Sequence, residues 1–522
     1  MAPVSHLLSL AQRVRAAGQR QAGRRLPGPR AWSHLAKWIP LGIVIGVLSG
    51  LGAVAFQALL NVATAHLLGT LTGYHPAKLA GEGGLRQASG FPHPWAVPLV
   101  VAVGALAGSA LVIWLAPEAE GHGTDAAIAA AHSHPKGIRA RVAAVKLLAS
   151  AVTIGSGGSG GTEGPAAQIS AALASTATRR LRLSPGDAHI AVSAGMASGV
   201  GAVFRTPLGG AVLGAELLYR DDVAAETLIP SAVTSVVAFT VFGAFYGFHP
   251  LFGGQHLQPG GLSWTKVLLP CAVLGLLAGL LGRLYVTCFY SVTKWFSRSR
   301  LPRLLRPAVA GLAVGALGLA VPGVLGPGYG SAQLAMDGNV LVHTSLWVIL
   351  LAPFAKIVGT SLSVGSGGSG GVFGPGLVIG AATGAALWRL FEPLGLAPRS
   401  PLLFVVVGMA ACLGPVVHAP LAVVIMVGEA TGSFAVVAPA LLAVAVATFV
   451  VGDVTLYRSQ PATRRDAPLH RSPAGELTEV AATAGDGHLA RQPGQSDGQP
   501  DGQLGDGQLG AVAPAAVRSP TV

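Results

Sequence analysis

The amino-acid sequence predicts an all-α polytopic membrane protein made of two inverted structural repeats of tilted and broken helices. Three observations carry this. Of 522 residues, 51% are hydrophobic and 11% charged, whereas a soluble domain carries about a quarter charged residues. Apolar runs long enough to cross about 30 Å of hydrocarbon recur along the chain. One glycine string occurs twice, 210 positions apart: residues 155–172 read GSGGSGGTEGPAAQISAA and residues 365–382 read GSGGSGGVFGPGLVIGAA. With 73 glycines and 36 prolines, many spans must be broken or tightly packed, which lipid tolerates only where protein or a cavity satisfies the backbone. The repeat alone leaves parallel and inverted topology open. Half-broken helices meeting near the midplane are the usual product of inversion, which is therefore expected.

The elements follow in order. Residues 1–36 form a basic cytoplasmic tail, either a helix lying on anionic lipid or disorder. They lack the apolar core and cleavage site of a signal peptide. The first membrane repeat, 37–248, opens with spans over 38–68 and 95–115, and then GHGTDAAIAAAH (121–132) marks a glycine-flanked helix start. Lys146 precedes the first glycine string at the offset by which Lys356 precedes the second. A further match, 195–216 against 408–429, puts Glu216 and Glu429 in equivalent places. After a span over 228–246 comes a Gly-, His- and Pro-rich inter-repeat loop, 249–262. The second repeat, 263–460, carries spans over 267–289 and 346–364, a last span ending near Val451, and then Tyr457. Residues 461–522, with echoes such as QSDGQPDGQLGDGQLG, are too polar to bury a core and predict a disordered cytoplasmic tail.

A net charge of +13 raises the question of nucleic acid, but the basic residues are placed otherwise. Arg13, Arg15, Arg20, Arg24, Arg25, Arg30 and Lys37 precede the first span with no acid before Glu82, and Arg458, Arg464, Arg465 and Arg471 follow the last. That bias puts both termini in the cytoplasm of a multi-pass protein of the cell membrane. Cys271, Cys288 and Cys412 lie in apolar segments without metal-like spacing and read as buried small side chains. His122, His132 and His134 lack a four-ligand pattern, so no metal site is expected.

The glycine strings carry the chemistry. Glycine lets the backbone approach a ligand closely. The first amides of the following helix have no partner within it, and the helix dipole is positive there, so such an end binds anions. Two such ends, one from each half, can enclose a single anion. Glu163 is an acid between glycines in an apolar segment. A bare charge at membrane depth costs ~3 kcal/mol or more, so such acids are usually functional; the bland alternative is a carboxylate capping its own helix. A carboxylate and a second anion cannot cheaply share one dehydrated site, and protonation of the acid frees it. Glu216 and Glu429, being repeat mates, read as structural acids. Lys146 either raises the positive potential of the pathway or, like its mate Lys356, is structural.

The order GHG, GTEGP, GVFGP and terminal tyrosine, over roughly residues 38–457, resembles the CLC family of chloride channels and chloride/proton antiporters. The resemblance implies a homodimer with one anion pathway per subunit, and bound chloride rather than any cofactor. Glu163 matches the gating glutamate, which occupies the outer anion site in place of chloride. Val372 and Phe373 match the backbone donors of the central site, and Tyr457 the hydroxyl that reaches the same ion. Gly121, His122 and Gly123 match a helix start whose middle residue is often serine; here it is histidine, a candidate for pH-sensitive lining. Antiporters that resemble this chain carry an inner proton-accepting glutamate where this sequence has Leu217. The expected function is chloride transport gated by Glu163, with chloride/proton antiport favoured over an uncoupled voltage- or pH-gated channel. The remote alternative is an intramembrane serine protease, because GSGGSGG contains Gly-x-Ser-Gly. It needs a positioned base, and neither His189 nor His418 is paired with a serine by the sequence. A nucleotide-binding P-loop fails for want of Gly-Lys-Ser/Thr. Fluoride export is a weaker variant, since members devoted to it tend to lose the terminal tyrosine and the Gly-Pro after the glutamate. No enzymatic activity and no catalytic residue are expected.

Overall fold

In lipid a backbone amide finds no partner outside its own helix, so each apolar run closes into one. The computed structural model describes residues 29–82, 88–253 and 264–468, with side chains described from residue 36 and, after the second gap, from 267. The first half holds α1 (Pro29–Thr64, ending in a π turn, Ala65–Thr70), α2 (Ala96–Leu115), α3 (Thr124–Ser133) and α4 (Ala140–Gly155). It continues through α5 (Glu163–Arg180), α6 (Pro185–Phe204), α7 (Pro207–Glu216) and α8 (Ala225–Tyr246). The second half holds α9 (Trp264–Arg298), α10 (Arg306–Ala320), α11 (Tyr329–Leu334), α12 (Gly338–His343) and α13 (Leu346–Gly365). It closes with α14 (Phe373–Phe391), α15 (Leu402–Val416), α16 (Pro420–Thr431) and α17 (Val437–Val451). No strand occurs among the described residues. Seven helical stretches are long and apolar enough to cross a membrane, by length and composition alone.

The duplication runs further than the sequence matches. Helices α4 to α8 pair in order with α13 to α17, and α2 and α3 pair with α10 and α11; α12 has no mate. Equivalent joints use equivalent devices. Arg205 ends α6 at φ 59° and His418 follows α15 at φ 52°, and a proline opens the next helix in each case, Pro207 and Pro420. Proline suits that position because the first helical amide has no acceptor anyway.

The two halves meet head to head. Gly161 and Gly371 form an antiparallel pair, N to O at 2.7 Å and 2.8 Å, immediately before α5 and α14. The starts of these helices, one from each half, meet there, with Glu163 accepting from the Gly374 amide at 3.0 Å. Serines on either side stitch the joint across the halves: Ser150 to Ser369 at 2.8 Å and Ser159 to Thr360 at 3.0 Å. Ser156 and Ser366 donate to carbonyls of their own helices. All four serines of the glycine strings therefore face partners other than histidine, which removes the protease reading.

Part of the expected organisation lies outside the described residues: 1–28 and 469–522 of the tails, 254–262 of the inter-repeat loop and residue 263 of the second repeat. The boundary at 461, however, moves. Residues 461–468 stay attached to the turn between α7 and α8: Arg220 and Asp221 donate backbone bonds to Pro461 (3.0 Å) and Ala462 (2.9 Å). Arg464 pairs with Asp222 and Glu226. These acids supply what the polar composition of the segment hides, a fixed partner for its arginine.

Candidate functional site

The site grows from the head-to-head joint. Glu163 is the first residue of α5 and is only 1% exposed. Its Oε2 accepts from the amide of Gly374, in the first turn of α14, at 3.0 Å. Its Oε1 accepts from the Thr162 hydroxyl at 3.0 Å. The carboxylate thus rests on the N-terminus of the opposite half, where unpaired amides and the helix dipole favour negative charge. Val372 and Phe373 stand at that same terminus, both buried. The Val372 carbonyl is held by the Tyr285 hydroxyl at 2.9 Å, and the Phe373 ring lies 5.9 Å from that of Phe204.

A second helix start comes in from the loop 117–123. Gly121 (φ 72°) and Gly123 (φ 84°) take conformations that a side chain would strain. A methyl group on Gly123 would lie 2.9 Å from the Gly164 carbonyl and 3.0 Å from Lys146 Cε, so α3 starts directly against the start of α5. Lys146, fully buried, donates to the carbonyls of Ala119 (3.0 Å) and Gly121 (2.6 Å). Gln168 Nε2 holds the Glu118 carbonyl at 2.8 Å. At the surface of this loop, burial pushes the Glu118 carboxyl up, but the hydrogen bonds and charge of Arg139 outweigh it and hold it below its ordinary value.

The His122 ring lies 5.7 Å from Tyr457 and 5.9 Å from Phe289. Tyr457 is fully buried, with its hydroxyl against the Thr124 side chain, and His122 Nδ1 makes no hydrogen bond. Its backbone is firmly tied. Tyr457 N donates to Thr455 Oγ1 at 3.0 Å, and Gln460 Nε2 to the carbonyls of Leu217 (2.8 Å) and Val417 (3.0 Å). Leu217 is itself buried. A continuous series of contacts therefore joins Tyr457, His122, Gly123, Gly164, Glu163 and Gly374.

Glu216 and Glu429 stand outside this series. Glu216 Oε2 accepts from Ala422 N at 2.8 Å, in the first turn of α16. Glu429 accepts from Leu208 N (3.0 Å) and Gly209 N (2.7 Å), in the first turn of α7. Each acid lies in the last turn of one helix and caps the start of its mate in the other half. Lys356 does for its loop what Lys146 does, donating to Val324 O (3.2 Å) and Gly326 O (2.9 Å).

Sequence reasoning missed the loop that Lys356 holds. Pro322, Gly326 and Gly328 repeat Pro117, Gly121 and Gly123, with the same left-handed glycines (φ 61° and 81°). It also missed Thr162 and Gly374 as the partners of Glu163. The Pro-x-x-x-Gly-x-Gly spacing was the available signal for the loop; a backbone donor such as Gly374 leaves none.

Lys146→Met keeps the length of the side chain but strips the donors from two buried carbonyls. Each such loss costs about 1–3 kcal/mol, offset in part because no ammonium is then buried. A net loss of about 1–3 kcal/mol is expected, read as a lower thermal midpoint in detergent. Lys356→Met should match it; an unchanged midpoint in both would remove the lysines from the support of these loops.

Opposed helix starts enclosing a carboxylate, within duplicated broken helices, define a membrane protein of the channel and transporter class rather than an enzyme. The profile of the voltage gated chloride channel family matches residues 103–452, and the chain belongs to that family, the CLC family. It is 34% identical over 348 residues to a protein of Ralstonia nicotianae named for its likeness to the chloride channel ClcB, covering 65% of this chain and 79% of that one. Its fold is similar to the crystal structure of a CLC-type fluoride/proton antiporter (TM-score 0.68, 23% identity, 82% of this chain and 98% of that one). It is also similar to that of a slow cyanobacterial Cl−/H+ antiporter (TM-score 0.66, 20% identity, 79% and 94%). At these identities the two structures speak for the fold alone.

Proposed function

We propose that this chain carries chloride across the cell membrane in exchange for protons, with Glu163 as both gate and proton carrier. One observation carries the reading: the Glu163 carboxylate takes the amide of Gly374 at a helix start, where a dehydrated halide would otherwise sit. Chloride and carboxylate then compete, and protonating the acid concedes the place to chloride. Val372 and Phe373 would offer further amides at the same terminus. The loop 121–123 and the buried Tyr457 hydroxyl would meet the ion from the other side. The ion itself is cargo, and no organic cofactor or metal enters the reading. The family resemblance supports a homodimer with one pathway per subunit, and the basic flanks support cytoplasmic termini.

An uncoupled channel is the second reading, favoured by the apolar, buried Leu217 where antiporters that resemble this chain have an inner acid. One experiment separates the two. Protein in liposomes under a chloride gradient is followed for chloride efflux and proton uptake together. Proton uptake in fixed ratio to chloride is expected; chloride movement alone would select the channel. Vesicles as tight to chloride as protein-free ones would end both readings.

A further inference from the structure

Tyr329 begins α11 and is 7% exposed, yet its buried hydroxyl makes no hydrogen bond. Its ring is fixed between Phe204 (5.9 Å) and Phe252 (6.2 Å, edge-on). Lys356 anchors the preceding loop through the carbonyls of Val324 and Gly326. A methyl built on Gly374 would touch both the Tyr329 hydroxyl and Glu163 Oε2, so hydroxyl and carboxylate stand side by side over one glycine. Tyr329 also lines a cavity of about 1030 Å³ that includes Thr162, Gly328 and Lys356. A carboxylate that leaves the Gly374 amide has this cavity beside it, and it needs a new donor there, because a bare buried charge is costly.

We propose that Tyr329 is that donor: its hydroxyl receives the Glu163 carboxylate when chloride displaces it. Tyr329 is thus a positioning residue that sets how readily the gate yields, and the inference rests on reading Glu163 as the gate. Without the hydroxyl the displaced carboxylate is less stable, and chloride must compete harder for the amide.

The test is Tyr329→Phe in liposomes, with flux measured against chloride concentration. Half-saturating chloride is expected to rise about tenfold, the factor a hydrogen bond to a charged group contributes, while flux at saturating chloride stays near that of the parent. In a Glu163→Ala background the same substitution should shift nothing. An unshifted half-saturation in Tyr329→Phe would overturn the proposal. So would a shift of equal size in the Glu163→Ala background, which would mean that the hydroxyl touches the anion itself or only supports packing. A parent protein that carries no chloride would overturn this and the underlying reading together; a transporting parent with an unshifted variant overturns this one alone.

Discussion

Glu163→Ala in reconstituted vesicles is expected to bring proton uptake down to the level of protein-free vesicles while chloride continues to move. The side chain offers the one carboxylate found at the joint of the two halves among the described residues, bonded to Gly374 N and to Thr162. Alanine leaves the Gly374 amide to the halide at every pH. Chloride flux in the variant should therefore lose its dependence on pH, and in the channel reading the same change abolishes pH gating. The measurement is paired chloride and proton flux across a range of pH values. Proton movement and pH response both equal to those of the parent would take Glu163 out of the mechanism.

The next largest effect is expected from Gly371→Ala. A Cβ there would lie 2.8 Å from the Gly161 carbonyl oxygen and 2.8 Å from the Gly164 amide nitrogen. Both neighbours are backbone, so neither can rotate away and the two helix starts must spread. Overpacking of this kind costs about 1–3 kcal/mol and sometimes more. The spread also separates Gly374 from Glu163 and blunts the convergence of amides on one point. Loss of chloride flux with a lowered thermal midpoint is expected. Gly90→Ala, where an added methyl meets nothing within 4 Å, serves as the comparison and should leave both unchanged. A Gly371→Ala protein as stable and active as the parent would show that the joint tolerates separation.

The repeat was the most legible feature, because glycine strings are rare enough for two copies to stand out. From them alone come the helix starts at Glu163 and Phe373 and the matched positions of the two lysines. What those lysines hold was not legible, since their acceptors are main-chain carbonyls and any residue type carries one. The third duplicated element escaped for a different reason. Between 117–124 and 322–329 only a proline and two glycines persist, while His122 faces Pro327 and Thr124 faces Tyr329 in the comparison. The spacing also slips relative to the other matches. The acids at 216 and 429 were readable as mates, but not as caps exchanged between halves, because that depends on α7 and α16 packing side by side and antiparallel. The attachment of residues 461–468 was hidden by averaging: Arg464 sits at the edge of a long polar segment whose composition speaks for the segment as a whole.

The caps exchanged by Glu216 and Glu429 bear on how the molecule is made. Leu208 and Gly209 emerge from the ribosome long before Glu429 exists, and at about 5–20 residues per second the wait is on the order of ten to forty seconds. Throughout it the start of α7 in the nascent chain lacks its acceptor, just as Gly161 lacks Gly371. The first half must therefore be sheltered by the insertion machinery, or by water, until its twin arrives. A gene cut between the halves would yield an amino-terminal fragment that proteases clear, unless the carboxy-terminal fragment is translated beside it.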